Sequence, residues 1–265
     1  MPEGHTLHRL ARTLGQGFGG EVLRASSPQG RFAEGAALLD GTVLEGTEAH
    51  GKHLLLRFAG DRAVHVHLGL YGSFRLGPAP APPPRGAVRL RLESEREYAD
   101  LRGPTACSLL TPGEWAAIAA RLGPDPLRAD ADPERARTRI TRSRSALAAL
   151  LMDQSVVAGI GNVYRAEMLF RARIEPHRPG RALEDLEWAA LWGDLVTLMR
   201  AGVRAGRIIT TRPEHRSRVA GRVRAEDAFY VYRRAGLPCR ICGTPVLREL
   251  LLTRNLFWCP SCQSR

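Results

Sequence analysis

Gln154-Ser-Val-Val-Ala-Gly-Ile-Gly-Asn162-Val-Tyr-Arg-Ala-Glu-Met-Leu-Phe170 is the stretch on which the fold of this 265-residue chain turns. A strong helix is expected over Ala146 to Met152, ending near Gln154. A glycine-punctuated turn follows, and a second helix opens near Asn162. Spacing alone reads first as a plain helix hairpin. Backbone N–H groups at such an opening, joined by an asparagine amide, also make a natural clamp for phosphate.

Downstream, Leu191, Leu195, Leu198 and Met199 form an apolar stripe at helical spacing, which reads as core packing. From Tyr230 onward the chain carries Cys239-Arg-Ile-Cys242 and Cys259-Pro-Ser-Cys262, sixteen residues apart. Two such pairs fit one tetrahedral four-cysteine zinc site on two knuckles joined by a β-hairpin. Two disulfides are the alternative, and no secretion signal supports them. The hairpin tip, Thr253-Arg254-Asn255, places an arginine beside a turn that a metal would stiffen. Cys107 stands alone and reads as a buried small residue.

Upstream, Leu122-Gly-Pro-Asp-Pro through Asp132-Pro133 reads as an interdomain linker. From about residue 20 to 110 the period changes to two: Val64, Val66 and Leu68 alternate with His65 and His67, and Val88, Leu90 and Leu92 with Arg89 and Arg91. This region is expected to be a β-sandwich or barrel, and the five-proline stretch from Gly77 to Gly86 a loop. Leu7, Leu10, Ala11 and Leu14 predict a short helix ending before Gly15 and Gly17. No repeat is present.

A formal net charge of +12 points to a polyanionic partner, nucleic acid before membrane. No apolar run is long enough to span a bilayer, and the N-terminus lacks the pattern of a signal peptide, so a soluble intracellular protein is the expectation. Of the 39 lysines and arginines only Lys52 is lysine; the other 38 are arginine. Arginine supplies fixed charge, but it neither loses its proton nor readily forms an imine. Retention of one lysine suggests chemistry at Lys52; the plainer reading is arginine-biased coding with one lysine left by chance.

The chain begins Met1-Pro2-Glu3-Gly4. Initiator methionine is normally removed before proline, which would leave the secondary amine of Pro2 at the terminus. An α-amino group titrates near about 7.7–8.0, and the positive end of a helix starting beside it further disfavours protonation. A neutral amine there can attack a sugar C1′ and give an iminium, with Glu3 placed as acid/base. The plainer reading is a processing signal or a first-turn helix proline.

Together, Pro2-Glu3-Gly4, Gly51-Lys52, Ala158-Gly-Ile-Gly-Asn162-Val-Tyr and the Arg254…Cys259-Pro-Ser-Cys262-Gln263 ending resemble the formamidopyrimidine-DNA glycosylase/endonuclease VIII family, in the same order and over essentially the whole chain. The resemblance implies an α+β protein. An N-terminal β-sandwich with its leading helix would span 1–120, a helix–two-turns–helix domain 121–228, and a zinc ribbon 229–265. It implies Pro2 as Schiff-base nucleophile, Glu3 as general acid/base, and Lys52 as a phosphate contact assisting β-elimination. Asn162 and Arg254 would hold the phosphates flanking the lesion, Arg254 also assisting δ-elimination. Leu70 and Tyr71 would form the wedge that fills the gap left by the extruded base. One structural zinc on Cys239, Cys242, Cys259 and Cys262 completes the set.

Four departures qualify the resemblance. Asp100-Leu-Arg-Gly-Pro104 lacks the phenylalanine of the 8-oxoguanine branch, which favours the oxidised-pyrimidine branch. Thr6 stands where a glutamate is common, Gly69 where a larger wedge residue is usual, and Thr253 where a hairpin glycine is usual. The expectation is a bacterial, cytoplasmic and nucleoid-associated base-excision enzyme. It would act as a monomer on damaged DNA, with no membrane and no redox cofactor. The rivals are an 8-oxoguanine/formamidopyrimidine enzyme and a damage-binding protein that has lost excision. The preferred base, the preferred DNA form and any protein partner are not specified by the sequence.

Overall fold

The computed structural model describes residues 2–218 and 221–264; Met1, whose removal the Met-Pro start predicts, lies outside them. The chain divides into two compact units, Met1–Arg121 and Leu122–Arg265.

The first unit opens with helix α1 (Gly4–Phe18), which buries Leu7, Ala11, Leu14 and Phe18 along one face. The helix runs through Gly15 and Gly17 rather than stopping before them. Its neighbour explains why: a Cβ at Gly15 would lie 2.7 Å from the Thr47 hydroxyl, which donates to the Ala11 carbonyl at 2.6 Å. Glycine is therefore the residue that lets α1 rest on the sheet, and packing overrides its poor helix propensity.

Eight antiparallel strands follow: β1 (Val22–Ser26), β2 (Thr42–His50), β3 (His53–Phe58), β4 (Arg62–His67), β5 (Ser73–Pro78), β6 (Val88–Glu93), β7 (Glu97–Arg102) and β8 (Ala106–Leu110). Their order is β5-β7-β6-β1-β2-β3-β4-β8. β1 and β2 share only the pairs Val22↔Val43 and Leu23↔Thr42, so the sheet is two four-stranded halves on a narrow join. Leu54, Leu56, Val64 and Val66 from one half meet Leu90, Leu92, Ala99 and Leu101 from the other in a single sandwich core with α1.

Two details depart from the alternating pattern. A helix, α2 (Ala33–Leu39), interrupts the strands. Arg91, an outward position by alternation, is buried, because Asp100 on β7 receives its guanidinium through two hydrogen bonds of 2.7 and 2.9 Å. The pair works against a desolvation cost. Its hydrogen bonds hold the Asp100 carboxyl below the ordinary range despite burial. Helix α3 (Pro112–Ala120) closes the unit with a Thr111–Glu114 capping box.

The second unit begins with the segment expected to be a linker. Residues 122–126 are instead buried: the Gly123 N–H donates to the Gln154 carbonyl at 2.8 Å, and the Ala158 N–H to that of Pro124 at 3.0 Å. Prolines there fix a packed extended segment, not a spacer. Helices α4 (Pro133–Thr141), α5 (Leu147–Leu150), α6 (Asn162–Arg171) and α7 (Asp185–Ala205) share one core, centred on Ile140, Leu147, Tyr164, Leu169, Leu191 and Leu195. The helix expected over Ala146–Met152 is only the four residues of α5, because the Met152 and Asp153 N–H groups bond three residues back, to the Ala149 and Leu150 carbonyls (3.1 Å each), and close the turn. α6 opens at Asn162, as its glycine turn suggests.

The C-terminal hairpin, β9 (Leu247–Leu251) and β10 (Arg254–Trp258), packs against α6 through Val163, Ala166 and Phe257. The fully buried Glu167 on α6 accepts the backbone N–H groups of Tyr230, Val231 and Tyr232, each at 2.8 Å, and the Thr210 hydroxyl. Among the described residues no helix is long and apolar enough to cross a membrane. Glu167→Ala should lower stability by about 3 kcal/mol or more, since each orphaned amide costs roughly 1–3 kcal/mol; an unchanged chemical-denaturation midpoint would contradict that role.

Candidate active site and zinc centre

Pro2, Glu3, Lys52, Leu70 and Tyr71 lie in the first unit; Asn162, Arg254 and the four cysteines lie in the second. Pro2 sits two positions ahead of the first residue of α1 and is partly exposed, so it is not a first-turn helix proline. Glu3 takes the extended N-cap conformation (φ −125°, ψ 179°) and is 0% exposed, yet its carboxylate does not cap the helix. The cap is made by its backbone, whose carbonyl accepts from the Thr6 N–H at 2.8 Å. The Pro2 nitrogen and a carboxylate withheld from solvent thus adjoin the positive end of a 15-residue helix. Thr6 lies beside His5, its hydroxyl 3.3 Å from the ring Nε2. Burial pulls the His5 imidazole down to about 4.

Lys52 occupies the two-residue turn joining β2 to β3, in register between His50 and His53. Gly51 before it has φ 59°, the left-handed first position that such a turn requires. Strand register then builds a group that linear reading did not anticipate. His53 Nδ1 lies 2.8 Å from His65 Nε2, the two rings stack at 5.1 Å, and His67 meets His53 edge-on at 5.1 Å. Burial, followed by the charge of neighbouring histidines, lowers His53 to about 3, and burial likewise takes His65 to about 4. Lys52 therefore has a neutral imidazole platform beside it at neutral pH.

The turn after β4 carries the wedge candidates. Tyr71 is 89% exposed and Leu70 42%, so neither makes a buried strand-end contact. Gly69 is explained by its site: φ is 65°, and a Cβ would fall 1.9 Å from the Thr105 hydroxyl. A larger residue does not fit there, and the exposed apolar surface of the turn moves to the next two positions.

In the second unit, Gln154 staples the turn ahead of α6. Its side chain donates to the carbonyls of Met152 and Ile160 (2.9 Å each) and accepts the Gly159 N–H at 3.0 Å. Asn162, nearly buried, donates to the Asn255 carbonyl on β10 at 2.9 Å. Arg165, fully buried, holds the Asn162 side-chain oxygen and also reaches that carbonyl at 3.3 Å. Asn162 is thereby tied to the residue following Arg254. Arg165 was not anticipated; its only signal was an arginine at the third position of the asparagine's own helical turn. Arg254 is exposed at the hairpin tip. The tip keeps a two-residue turn without glycine, with Leu252 at φ 47° and Thr253 at φ 63°, a left-handed pair that costs roughly 1–2 kcal/mol per residue.

The four cysteine sulfurs lie within 4.8 Å of one another, with Cys239–Cys262 at 3.9 Å and Cys242–Cys259 at 3.5 Å. Tetrahedral zinc–thiolate bonds of about 2.3 Å require sulfurs about 3.8 Å apart. The thiols are unbridged, and the group fits one structural zinc ion. Hydrogen bonds from Thr244 hold the Cys242 thiol down to about 6, so it is a ready thiolate. Gln263 locks the second knuckle, accepting the Cys259 N–H at 2.9 Å and donating to the Ile174 carbonyl at 3.0 Å. Cys107 is partly buried and its thiol is pushed up to about 12 by burial, which makes it inert.

Residues 1–107 match the family described as the formamidopyrimidine-DNA glycosylase N-terminal domain. Residues 122–214 match the formamidopyrimidine-DNA glycosylase H2TH domain, and residues 236–265 the zinc finger found in FPG and IleRS. Endonuclease 8 1 of Mycobacterium tuberculosis is 53% identical over 268 residues, covering 100% of each chain. Endonuclease 8 2 of Mycobacterium bovis is 35% identical over 99% of this chain and 100% of its own. The fold matches that of Lactococcus lactis Fpg in complex with abasic-site DNA, at a TM-score of 0.82 and 20% identity over 99% of this chain and 100% of that one. The chain therefore belongs to the formamidopyrimidine-DNA glycosylase/endonuclease VIII family, the DNA glycosylase/AP lyases of base-excision repair.

Two outcomes follow from this chemistry. His5, His53 and His65 are held neutral in the fold but titrate near 6.5 when unfolded, so each binds a proton on unfolding in mild acid. Their stabilising contribution is complete above that value and declines as pH falls toward 4. Denaturation midpoints should be lower at about pH 5.2 than at about 6.8; equal midpoints would contradict the buried neutral rings. Cys242→Ser should release zinc, measured by a chromogenic chelator, and full metal retention would refute the four-thiolate site.

Proposed function

We propose that this glycosylase/lyase prefers oxidised pyrimidines and works through the Pro2 amine. The observation carrying the reading is a partly exposed Pro2 followed by a solvent-excluded Glu3 whose carboxylate is not spent on capping. The neutral amine attacks C1′ of the damaged nucleotide, and the base departs with the C1′–N electron pair and a proton. The resulting iminium acidifies C2′–H. Loss of that proton expels the 3′-phosphate, and a second elimination expels the 5′-phosphate. Glu3 transfers protons at base release and ring opening. Lys52, on its rigid two-residue turn, contacts phosphate and assists the first elimination. Asn162 and Arg254 hold the flanking phosphates, and Arg254 assists the second.

Leu70 and Tyr71 fill the space left by the extruded base; their exposure supports that reading. The Asp100–Pro104 segment lacks the 8-oxoguanine branch's phenylalanine, which supports the pyrimidine branch. So does the 53% identity to an endonuclease 8, against 34% to a formamidopyrimidine-DNA glycosylase of Roseiflexus sp.. Functionally the chain is taken as 1–120, 121–228 and 229–265. The protein acts as a cytoplasmic, nucleoid-associated monomer on damaged DNA, as the DNA complexes of its structural neighbours suggest.

Borohydride trapping on duplexes bearing thymine glycol, 8-oxoguanine opposite cytosine, or an abasic site tests this directly, with Pro2→Ala alongside. A Pro2-dependent adduct on thymine glycol is expected. An adduct on 8-oxoguanine alone would move the protein to the other branch. No adduct on any duplex would leave a binding protein.

A further inference from the structure

The end of α6 opposite Asn162, on the order of 14 Å away at 1.5 Å per residue, carries a second basic feature. A cavity of about 150 Å³ is lined by Phe170, Arg171, Arg173, Arg212, His215 and Tyr230, with Ile241 and the zinc-site Cys262 on its other side. A water needs only about 10–15 Å³ by the same measure, so there is room for a larger polar guest. The charges are unequal in availability. Arg171 is satisfied: Asp194 takes it bidentately at 2.6 and 2.7 Å, and the Thr210 carbonyl takes its remaining arm. Among the described residues no carboxylate lines the cavity, and none pairs with Arg173 or Arg212. The acids around it are committed elsewhere: Glu167 to backbone amides, Asp227 to Arg240 and Ser217, and Glu187, which lines an adjoining cavity with Arg173, to Arg178; Glu214 is exposed.

Hydrogen bonds also hold the His215 ring. The Tyr230 phenol oxygen accepts the Arg212 backbone N–H at 3.0 Å and lies 2.7 Å from His215 Nδ1. Burial raises the Tyr230 phenol above its ordinary value, which keeps it protonated. Arg173, immediately beyond α6, is held at φ 56°.

We propose that this cavity is a phosphate-class anion subsite distinct from the Asn162–Arg254 pair. Arg173 and Arg212 supply charge, and the His215 ring held against Tyr230 supplies a further polar contact. The phosphate is either a DNA backbone group outside the lesion or a free phosphate; the recognition chemistry is the same.

The test is calorimetric titration of the zinc-loaded full-length protein with inorganic phosphate, at constant ionic strength held by chloride. Saturable one-site binding is expected. It should weaken about tenfold in Arg212→Gln and in Arg173→Gln, and severalfold in His215→Gln, as charge-assisted hydrogen bonds are lost. Asn162→Ala should leave it within about twofold. Zinc content and circular dichroism confirm folding; Arg173→Gln carries the test if Arg212→Gln does not fold. Absence of saturable binding, or binding abolished by Asn162→Ala yet untouched by Arg173→Gln and Arg212→Gln, would overturn the proposal. Anisotropy with an abasic-site duplex then separates the sources. Weaker DNA binding in Arg212→Gln, with phosphate competing only in the wild type, assigns the subsite to DNA; unchanged DNA affinity assigns it to a free anion.

Discussion

The carboxylate of Glu167 is buried in the second unit, where it accepts hydrogen bonds from three consecutive backbone N–H groups and a hydroxyl rather than from a cation. Such a group is costly unless every lone pair is engaged, and here the engagement fixes an irregular segment that no helix or sheet would hold. That segment, Tyr230 to Tyr232, leads straight into the first zinc knuckle. The same helix fixes the hairpin at its other end through Asn162 and Arg165, and anchors Thr210 through Arg171. One ten-residue helix thus sets the backbone at Thr210, at Tyr230 to Tyr232 and at Asn255 by polar contacts at three levels. Apolar packing alone would tolerate sliding. Directional bonds to single carbonyls and amides do not.

Much of the architecture was legible because its causes are local. Cysteine pairs, the period-two run of β4 and β6, and the apolar spacing of α1 each follow from residues a few positions apart. The main departures have distant causes. Gly15 remains helical because Thr47 approaches from another element. Arg91 points inward because Asp100 waits on the adjacent strand. The proline-rich start of the second unit looks like a spacer, yet it is packed by amide bonds to the turn ahead of α6. A window of sequence holds none of these partners.

The candidate site divides in the same way. Pro2, Glu3, Lys52 and Arg254 announce themselves by residue type at a special position: a terminus, a lone lysine, a metal-held tip. The residues that support them do not. His53 and His65 meet only through strand register, and Arg165 looks like any other helix arginine until its burial is known. Gly69 is the converse case, an apparent loss that the fold requires, since Thr105 occupies the space a side chain would need.

The single lysine has a consequence for handling a reactive product. An opened abasic sugar is an aldehyde, and aldehydes condense with free amines wherever they meet them. In a chain whose other 38 cationic side chains are guanidinium groups, such a product finds no amine beyond Lys52 and the terminal nitrogen. Strong electrostatic grip and cross-linking hazard are therefore uncoupled: positive charge is abundant while the amines open to imine formation are two.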